Sequence, residues 1–226
     1  GQVGGRDGDA SMPGRGEVLI RQTAIGLNFI DVYERTGLYP GALPMGLGRE
    51  GAGVVEAVGP RVRGIAAGDR VAYVSGQPGA YAQERVIAAD RLVKIPDGVS
   101  DRLAAAAMLK GLTAQFLLRR TYRVRKGDAV VVHAAAGGVG LILSQWARHL
   151  GALVIGVVGS DAKAVVARDH GCHHALLPGR EALAEEGFKN PVRNLSRDSS
   201  LIELLDLRCA ETWKKSHYPR PARCPC

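Results

Sequence analysis

Apolar residues between positions 17 and 95 recur in short β-branched runs, EVLIRQTAIG, GAGVVEAVG, DRVAYV and YAQERVIA, separated by the turn-forming stretches GLYPGALP, GPRVRGIAAGD and SGQPGA. That pattern predicts a small, irregular β-barrel-like domain. At Ser100 the period changes: SDRLAAAAMLKGLTAQFLLRRTY opens on an N-capping serine and continues apolar at helical spacing, which predicts a helix interrupted near Gly111. From Lys126 there follow a buried strand (KGDAVVVHAA), a glycine turn (AGGVG), a helix closed by Gly151 (VGLILSQWARHLG) and a second buried strand (ALVIGVVGS). A helix ended by Gly171 (SDAKAVVARDHG) and a third strand (CHHALL) complete the series. Such a β-turn-α-β-α-β order is half of a doubly wound parallel sheet. The fold class is therefore read as α/β, a β-barrel domain and a partial doubly wound domain, divided near residue 100.

After Leu177 the periodicity fades. EALAEEGF has helical spacing, but NPVRNLSRDSS and KKSHYPRPARCPC are polar, proline-bearing and aperiodic, with one apolar stretch, SLIELLDL, between them. Residues 188–226 are expected to be poorly ordered, with Lys189 and the Lys214, Lys215 region as the first sites of proteolytic cutting. The chain's 46% apolar content supports a sizeable core, and 30 Gly and 11 Pro against three Phe argue against an all-helical bundle. No stretch approaches the ~20 apolar residues of a membrane span, and the opening GQVGGRDGDASMPGRG lacks the apolar core of a secretory signal, so a cytoplasmic protein is expected. Half of the net charge of +8 falls in residues 188–226, and no aromatic stacking platform accompanies those basic residues, so a nucleic-acid partner is not expected. Cys172, Cys209, Cys224 and Cys226 contain no CxxC pair of the structural-zinc kind.

The chemistry is concentrated in the glycine turn. Ala136, Gly137, Gly138, Val139 and Gly140 lie between a strand and a helix, the context in which a dinucleotide pyrophosphate is held. Gly137 permits the tight turn, Gly138 lets the backbone approach the pyrophosphate, and Gly140 lets the helix pack on the strand. The phosphates then meet the free amides and positive dipole end of the helix that begins near Val139. At the end of the second strand an NAD-preferring site places an acid for the ribose 2′-hydroxyl. Gly159, Ser160 and Lys163 stand there instead, with Asp161 adjacent. A hydroxyl and a cation favour a 2′-phosphate, which makes NADPH the expected cofactor. Taken alone, the same residues are also read as an N-cap serine and a solvated helix lysine.

LNFIDVYERTGLYP, GREGAGVVEAVG, LKGLTAQFLLRRTY and VVHAAAGGVGLILSQWARHLGALVIGVVGS occur in one order and spacing that resembles the zeta-crystallin type of NADPH quinone oxidoreductase, in the medium-chain dehydrogenase/reductase superfamily. The resemblance covers residues 15–187 and implies a GroES-like domain over 15–100 and a partial Rossmann domain over 101–187, with residues 1–14 and 188–226 outside the pattern. It implies reduction of a quinone by NADPH, with Asn28, Tyr33 and Thr113 placed near the nicotinamide and its ribose to supply hydrogen bonds. Zinc-dependent relatives carry a metal-binding Cys where Asn28 stands and a GHE motif where Gly48, Arg49 and Glu50 stand, so no catalytic zinc is expected. The family usually forms dimers through the Rossmann sheet, by elements in the unmatched region. It also carries an aromatic at the adenine end, where this chain has Pro178. The missing second half of the sheet is expected to leave a strand edge and an apolar face uncovered.

Structural roles account equally for each of these residues taken singly: a turn for Asn28, packing for Tyr33, a helix hydroxyl bonded to its own backbone for Thr113. His133 reads as a packing histidine, and the run Cys172, His173, His174 as incidental. The alternative to a quinone reductase is a nucleotide-binding but inactive, crystallin-like or truncated product.

Overall fold

A computed structural model describes residues 12–177 and the short strand Val192–Asn194. The chain divides into two compact units, Gly1–Lys110 and Gly111–Cys226.

The first unit is an antiparallel sheet of β1 (Glu17–Gly26), β2 (Glu50–Val58), β3 (Arg70–Val74), β4 (Glu84–Ala88) and β5 (Leu92–Lys94), in the order β4-β1-β2-β3-β5. The alternation read from the sequence sets the faces: Val18 and Ile20 of β1 are fully buried and join Val55, Val71, Tyr73 and Ile87 in one core. Pairing of β1 with β2 shifts register between Leu19 and Ile20 and between Gln22 and Ala24, which accounts for the irregularity expected of this sheet. Between β1 and β2 lies a short helix, α1 (Phe29–Arg35), that the hydrophobic pattern does not predict. It buries Asp31 and Glu34 and exposes Phe29, which is 74% accessible, so its amphipathicity is inverted.

Helix α2 (Asp101–Gln115) begins as expected, with the Ser100 hydroxyl accepting from the Leu103 amide at 3.2 Å. The expected interruption at Gly111 is not found. The helix runs through that residue and loosens only afterwards, into a π-type turn over Phe116–Thr121. A glycine inside a helix costs about 1 kcal/mol relative to alanine, too little to break a helix whose neighbours favour it.

The second unit holds a parallel sheet of β6 (Ala129–His133), β7 (Leu153–Val157), β8 (His174–Leu176) and β9 (Val192–Asn194), in the order β8-β7-β6-β9. Helices α3 (Gly138–His149) and α4 (Asp161–Asp169) form the β6-to-β7 and β7-to-β8 connections. Val130, Val132 and Val154 pack with Leu143 and Ala147 of α3 and Ala164 and Ala167 of α4. Ala129, Val131, Ile155 and Leu176 form a buried cluster of their own. Residues adjacent in sequence on β6 thus serve different clusters, which is why these strands read as continuous apolar runs.

β6 is paired on its outer side, Val192 with Ala129 and Asn194 with Val131, so the strand edge expected of the half-sheet passes to β9. Among the described residues the expected uncovered apolar face is not found, since Ala129, Val131, Ile155 and Leu176 are all buried. Residues 192–194, expected to be poorly ordered, form the β9 strand. Parallel pairing is made by backbone amides and carbonyls and needs no apolar signature. The other residues of 188–226, including Lys189, Cys209, Lys214, Lys215, Cys224 and Cys226, lie outside the described residues, as do Pro178 and residues 1–11. Among the described residues no helix is long and apolar enough to cross a membrane.

Candidate functional site

In the first unit the chain leaves β1 at Gly26 and reaches Asn28, which caps α1 with extended backbone, φ −133° and ψ 156°. The Asn28 amide N–H donates to Asp31 Oδ2 at 2.9 Å, so the acid three residues on closes the first turn. The Asn28 side chain is buried and donates from Nδ2 to Glu50 Oε1 at 2.7 Å. Glu50 opens β2 with no solvent exposure, and its Oε2 accepts from the Leu109 amide at 2.6 Å. Lys110 Nζ donates to Asn28 Oδ1 and to Glu50 Oε1, each at 3.0 Å. A Cβ at Gly26 would fall 2.2 Å from Glu50 Oε1, so only glycine leaves room for that carboxylate.

Two further acids of α1 are matched in the same way. The Tyr81 hydroxyl donates to Asp31 Oδ2 at 2.9 Å. Burial, the Asp31 bond and the negative charge of Asp31 and Glu50 push the Tyr81 phenol up to about 12, so it remains a donor at all ordinary pH. Arg49 binds Glu34 Oε1 through Nε, at 2.8 Å, and through Nη2, and its Nη1 donates to the Gly76 carbonyl. Tyr33, half-buried on α1, stands between Phe29 and Tyr39, with ring centroids 5.7 and 5.4 Å away.

Asn28 and Tyr33 therefore share α1, while Thr113 lies half-buried on α2 in the second unit. The sequence reading of the site does not include Asp31, Glu34, Tyr81 and Lys110, and takes Glu50 only as part of a motif. One signal for them exists: Glu50 is an acid at the head of the otherwise apolar run GAGVVEAV, and a buried acid requires a donor or cation partner.

In the second unit the turn after β6 is built by backbone. Ala134 adopts φ 50°, a left-handed conformation unfavourable for a residue with a Cβ, and its carbonyl accepts from the Gly137 amide at 2.7 Å. Gly137 caps α3 without a side-chain bond, and the helical ladder starts with the Leu141 amide on the Gly137 carbonyl at 2.9 Å. The amides of Gly138, Val139 and Gly140 precede that ladder, at the positive end of the helix. A Cβ at Gly140 would lie 2.4 Å from the Ala134 carbonyl oxygen and 2.7 Å from Ala135 Cα. The turn and helix are in closer contact there than any side chain permits. Gly137 and Gly138 are exposed, and Ala136 and Val139 half-buried.

At the end of β7, Gly159, Ser160 and Lys163 are all exposed. Ser160 is the N-cap of α4, its hydroxyl accepting from the Lys163 amide at 3.4 Å, so the structural role open to it is realised. His133 is half-buried at the end of β6. Cys172 is buried with its thiol on Ser144 Oγ at 3.4 Å, and burial pushes that thiol up. His173 Nδ1 accepts from the Val154 amide at 3.0 Å, and desolvation, with Arg148 and His174 nearby, holds its imidazole below the usual range. Among the described residues no three His, Cys, Asp or Glu side chains are grouped to hold a metal ion.

Residues 14–97 match the alcohol dehydrogenase GroES-like domain. The chain is 52% identical over 194 residues to a quinone oxidoreductase of Pseudomonas aeruginosa, covering 83% of this chain and 60% of that protein. It is 48% identical over 210 residues to a 2-haloacrylate reductase of a Burkholderia species, covering 90% and 62%. It superposes on the crystal structure of Escherichia coli quinone oxidoreductase complexed with NADPH with a TM-score of 0.77 at 45% identity, covering 80% of this chain and 56% of that one. The chain thus spans about three fifths of the length of the curated relatives it matches, 60 to 62% for these two. Over the residues it shares with them, the chain belongs to the quinone oxidoreductases of the medium-chain dehydrogenase/reductase superfamily.

Proposed function

We propose that the protein to which this chain belongs is an NADPH-dependent quinone oxidoreductase of the zeta-crystallin type that works without zinc. Residues 15–100 form its GroES-like domain and residues 101–187 the first part of its cofactor domain. The turn after β6 carries the cofactor assignment. Three amides ahead of the α3 ladder and a Gly140 with no room for a side chain present backbone donors of the kind that hold a pyrophosphate. Ala136, Gly137, Gly138, Val139 and Gly140 hold the pyrophosphate in this reading. Gly159, with open space where a Cβ would stand, and Ser160 and Lys163 at the head of α4 meet the 2′-phosphate. NADPH, when bound, supplies the hydride. Asn28, Tyr33 and Thr113 supply hydrogen bonds near the nicotinamide and its ribose, where the quinone is oriented for the hydride, and a quinone, which spreads charge over its ring, needs orientation more than a Lewis acid.

The charge balance around α1 supports the zinc-free reading. Lys110 neutralises Glu50 and Arg49 neutralises Glu34, so a dication would meet two cations already bound to the acids that would otherwise attract it. The same reading takes the protein as cytoplasmic, acting on a small molecule. The Burkholderia relative's name favours one second substrate class, an activated alkene conjugated to a carboxylate. The test is NADPH oxidation with a quinone and with 2-haloacrylate, each with and without a chelator. Turnover indifferent to the chelator is expected with the quinone. Stoichiometric zinc on elemental analysis, or no binding of NADPH, refutes the proposal.

NADPH is expected to bind more tightly than NADH, and Lys163→Ala to narrow the gap about fivefold, the loss of one charge-assisted hydrogen bond of ~1 kcal/mol. Titration of both cofactors against both proteins measures it. Equal affinities in the parent protein exclude a 2′-phosphate site.

A further inference from the structure

The oxygen and nitrogen of an asparagine side chain are alike in shape, and which one faces which neighbour is fixed by what those neighbours can do. Around Asn28 both neighbours are unambiguous. Lys110 carries an ammonium that only donates, and it lies 3.0 Å from Oδ1. Glu50 carries a carboxylate that only accepts, and it lies 2.7 Å from Nδ2. Turning the amide over would set its NH2 against an ammonium and its oxygen against a carboxylate.

The two neighbours are themselves held. Glu50 has no solvent exposure, is tied to the Leu109 amide at 2.6 Å and to Lys110 at 3.0 Å, and is pressed against Gly26. Lys110 also reaches the Leu27 carbonyl at 3.4 Å, so the backbone on the N-terminal side of Asn28 contributes to its placement. One hydrogen of Nδ2 is used on Glu50, and Oδ1 is used on Lys110. Asn28 keeps a second Nδ2 hydrogen to offer, and Oδ1 keeps a second lone pair beside the Lys110 ammonium.

We propose that Lys110 is a positioning residue that, with Glu50, fixes the polarity of the Asn28 side-chain amide, so that Nδ2 is held in place as a hydrogen-bond donor and does not exchange positions with Oδ1. The ligand group it selects is an oxygen that accepts, and the donor gains strength as that oxygen gains negative charge. That this oxygen belongs to the quinone rests on the function proposed above; the fixed polarity does not.

The test uses the full protein, Lys110→Met, and the double variant Glu50→Gln, Lys110→Met, in which the buried charges are removed together so that the fold is retained if Lys110→Met alone is unstable. A glutamine amide in place of the Glu50 carboxylate both donates and accepts, so the Asn28 amide in the double variant is no longer held one way. Side-chain amide NMR, with the Asn28 pair assigned by its loss in Asn28→Asp, reads polarity directly. In the parent one of the two Asn28 amide protons should be shifted downfield and slow to exchange, bonded to Glu50, and in the double variant both should take the shifts and exchange rates of a free asparagine amide. In turnover, the double variant should recover the parent's unfolding midpoint while kcat stays lower by about 10- to 100-fold, with NADPH affinity changed less than twofold. Parent-like Asn28 signals in the double variant, or kcat restored along with stability, overturns the proposal. A parent without quinone turnover removes the proposed function, and the NMR comparison still decides the role of Lys110.

Discussion

Replacing Gly140 by alanine is expected to weaken NADPH binding and to lower the unfolding midpoint of the parallel-sheet unit. The added Cβ meets the Ala134 carbonyl oxygen at 2.4 Å, Ala135 Cα at 2.7 Å and the Ala135 carbonyl oxygen at 2.8 Å. All three are backbone atoms, which cannot move aside as the tip of a long side chain does. Nor can the turn retreat, because a Cβ on Gly156 of β7 would already lie 2.8 Å from Ala135 Cβ, so the strand supports the turn at contact distance. The Ala134 conformation, with φ 50°, is strained before any substitution and has little freedom left to rotate its carbonyl away. Helix α3 must therefore move off the turn, at a cost of about 1 to 3 kcal/mol in stability. Its first-turn amides move with it, and affinity for NADPH should fall more than about tenfold, the equivalent of ~1.4 kcal/mol. Thermal unfolding and a titration of NADPH followed by tryptophan fluorescence measure both effects. Gly111→Ala is the control: a Cβ there meets nothing within 4 Å, and alanine should leave stability unchanged or raise it by up to about 1 kcal/mol. A Gly140→Ala protein with the parent's midpoint and affinity would mean that the close approach of helix and turn is not required.

The parts of this fold legible in sequence are those whose local chemistry and tertiary setting agree. EVLIRQTAIG is β1 residue for residue, Ser100 caps α2, and the strand, glycine turn and helix around Gly137 to Gly140 all stand where the pattern puts them. Three places are not legible, each for a physical reason. Helix α1 turns its acids inward and Phe29 outward, because Asp31 is bound by Tyr81 and Glu34 by Arg49, partners about 50 and 15 residues away that no local period reveals. Gly111 reads as a breaker, although a lone glycine in an alanine-rich helix is a small penalty. The strand at Val192–Asn194 is three residues long with no apolar periodicity to mark it. The candidate site divides similarly. Its glycine turn is a local motif, readable from a handful of consecutive residues, whereas the Asn28, Glu50, Lys110 cluster joins three distant segments and becomes visible only in the fold.

The largest stability effect in the first unit should come from Arg49→Leu. Glu34 has a side chain only 3% exposed, and its Oε1 is held by two nitrogens of Arg49, while Oε2 has no hydrogen-bond partner among the described residues. Removing the guanidinium leaves a buried carboxylate with no compensating charge, a situation that typically costs about 3 to 5 kcal/mol. For a unit of this size each kcal/mol moves the midpoint by roughly 4 to 8 °C, so a fall of more than about 12 °C is expected. Arg49→Lys should recover only part of it, since an ammonium is a point donor that cannot span Glu34 and the Gly76 carbonyl as the guanidinium fork does. The double variant Glu34→Leu, Arg49→Leu removes both charges at once. Because the attraction within a buried pair does little more than offset the cost of taking both ions out of water, the double variant should be within about 1 kcal/mol of the parent or more stable. Denaturant unfolding of the parent, the two single variants and the double variant closes the cycle, and a coupling free energy of about 2 kcal/mol or more is expected. Additive single effects would show that Glu34 and Arg49 act independently, and that the positive charge beside α1 is not what allows this helix to turn its acids into the protein.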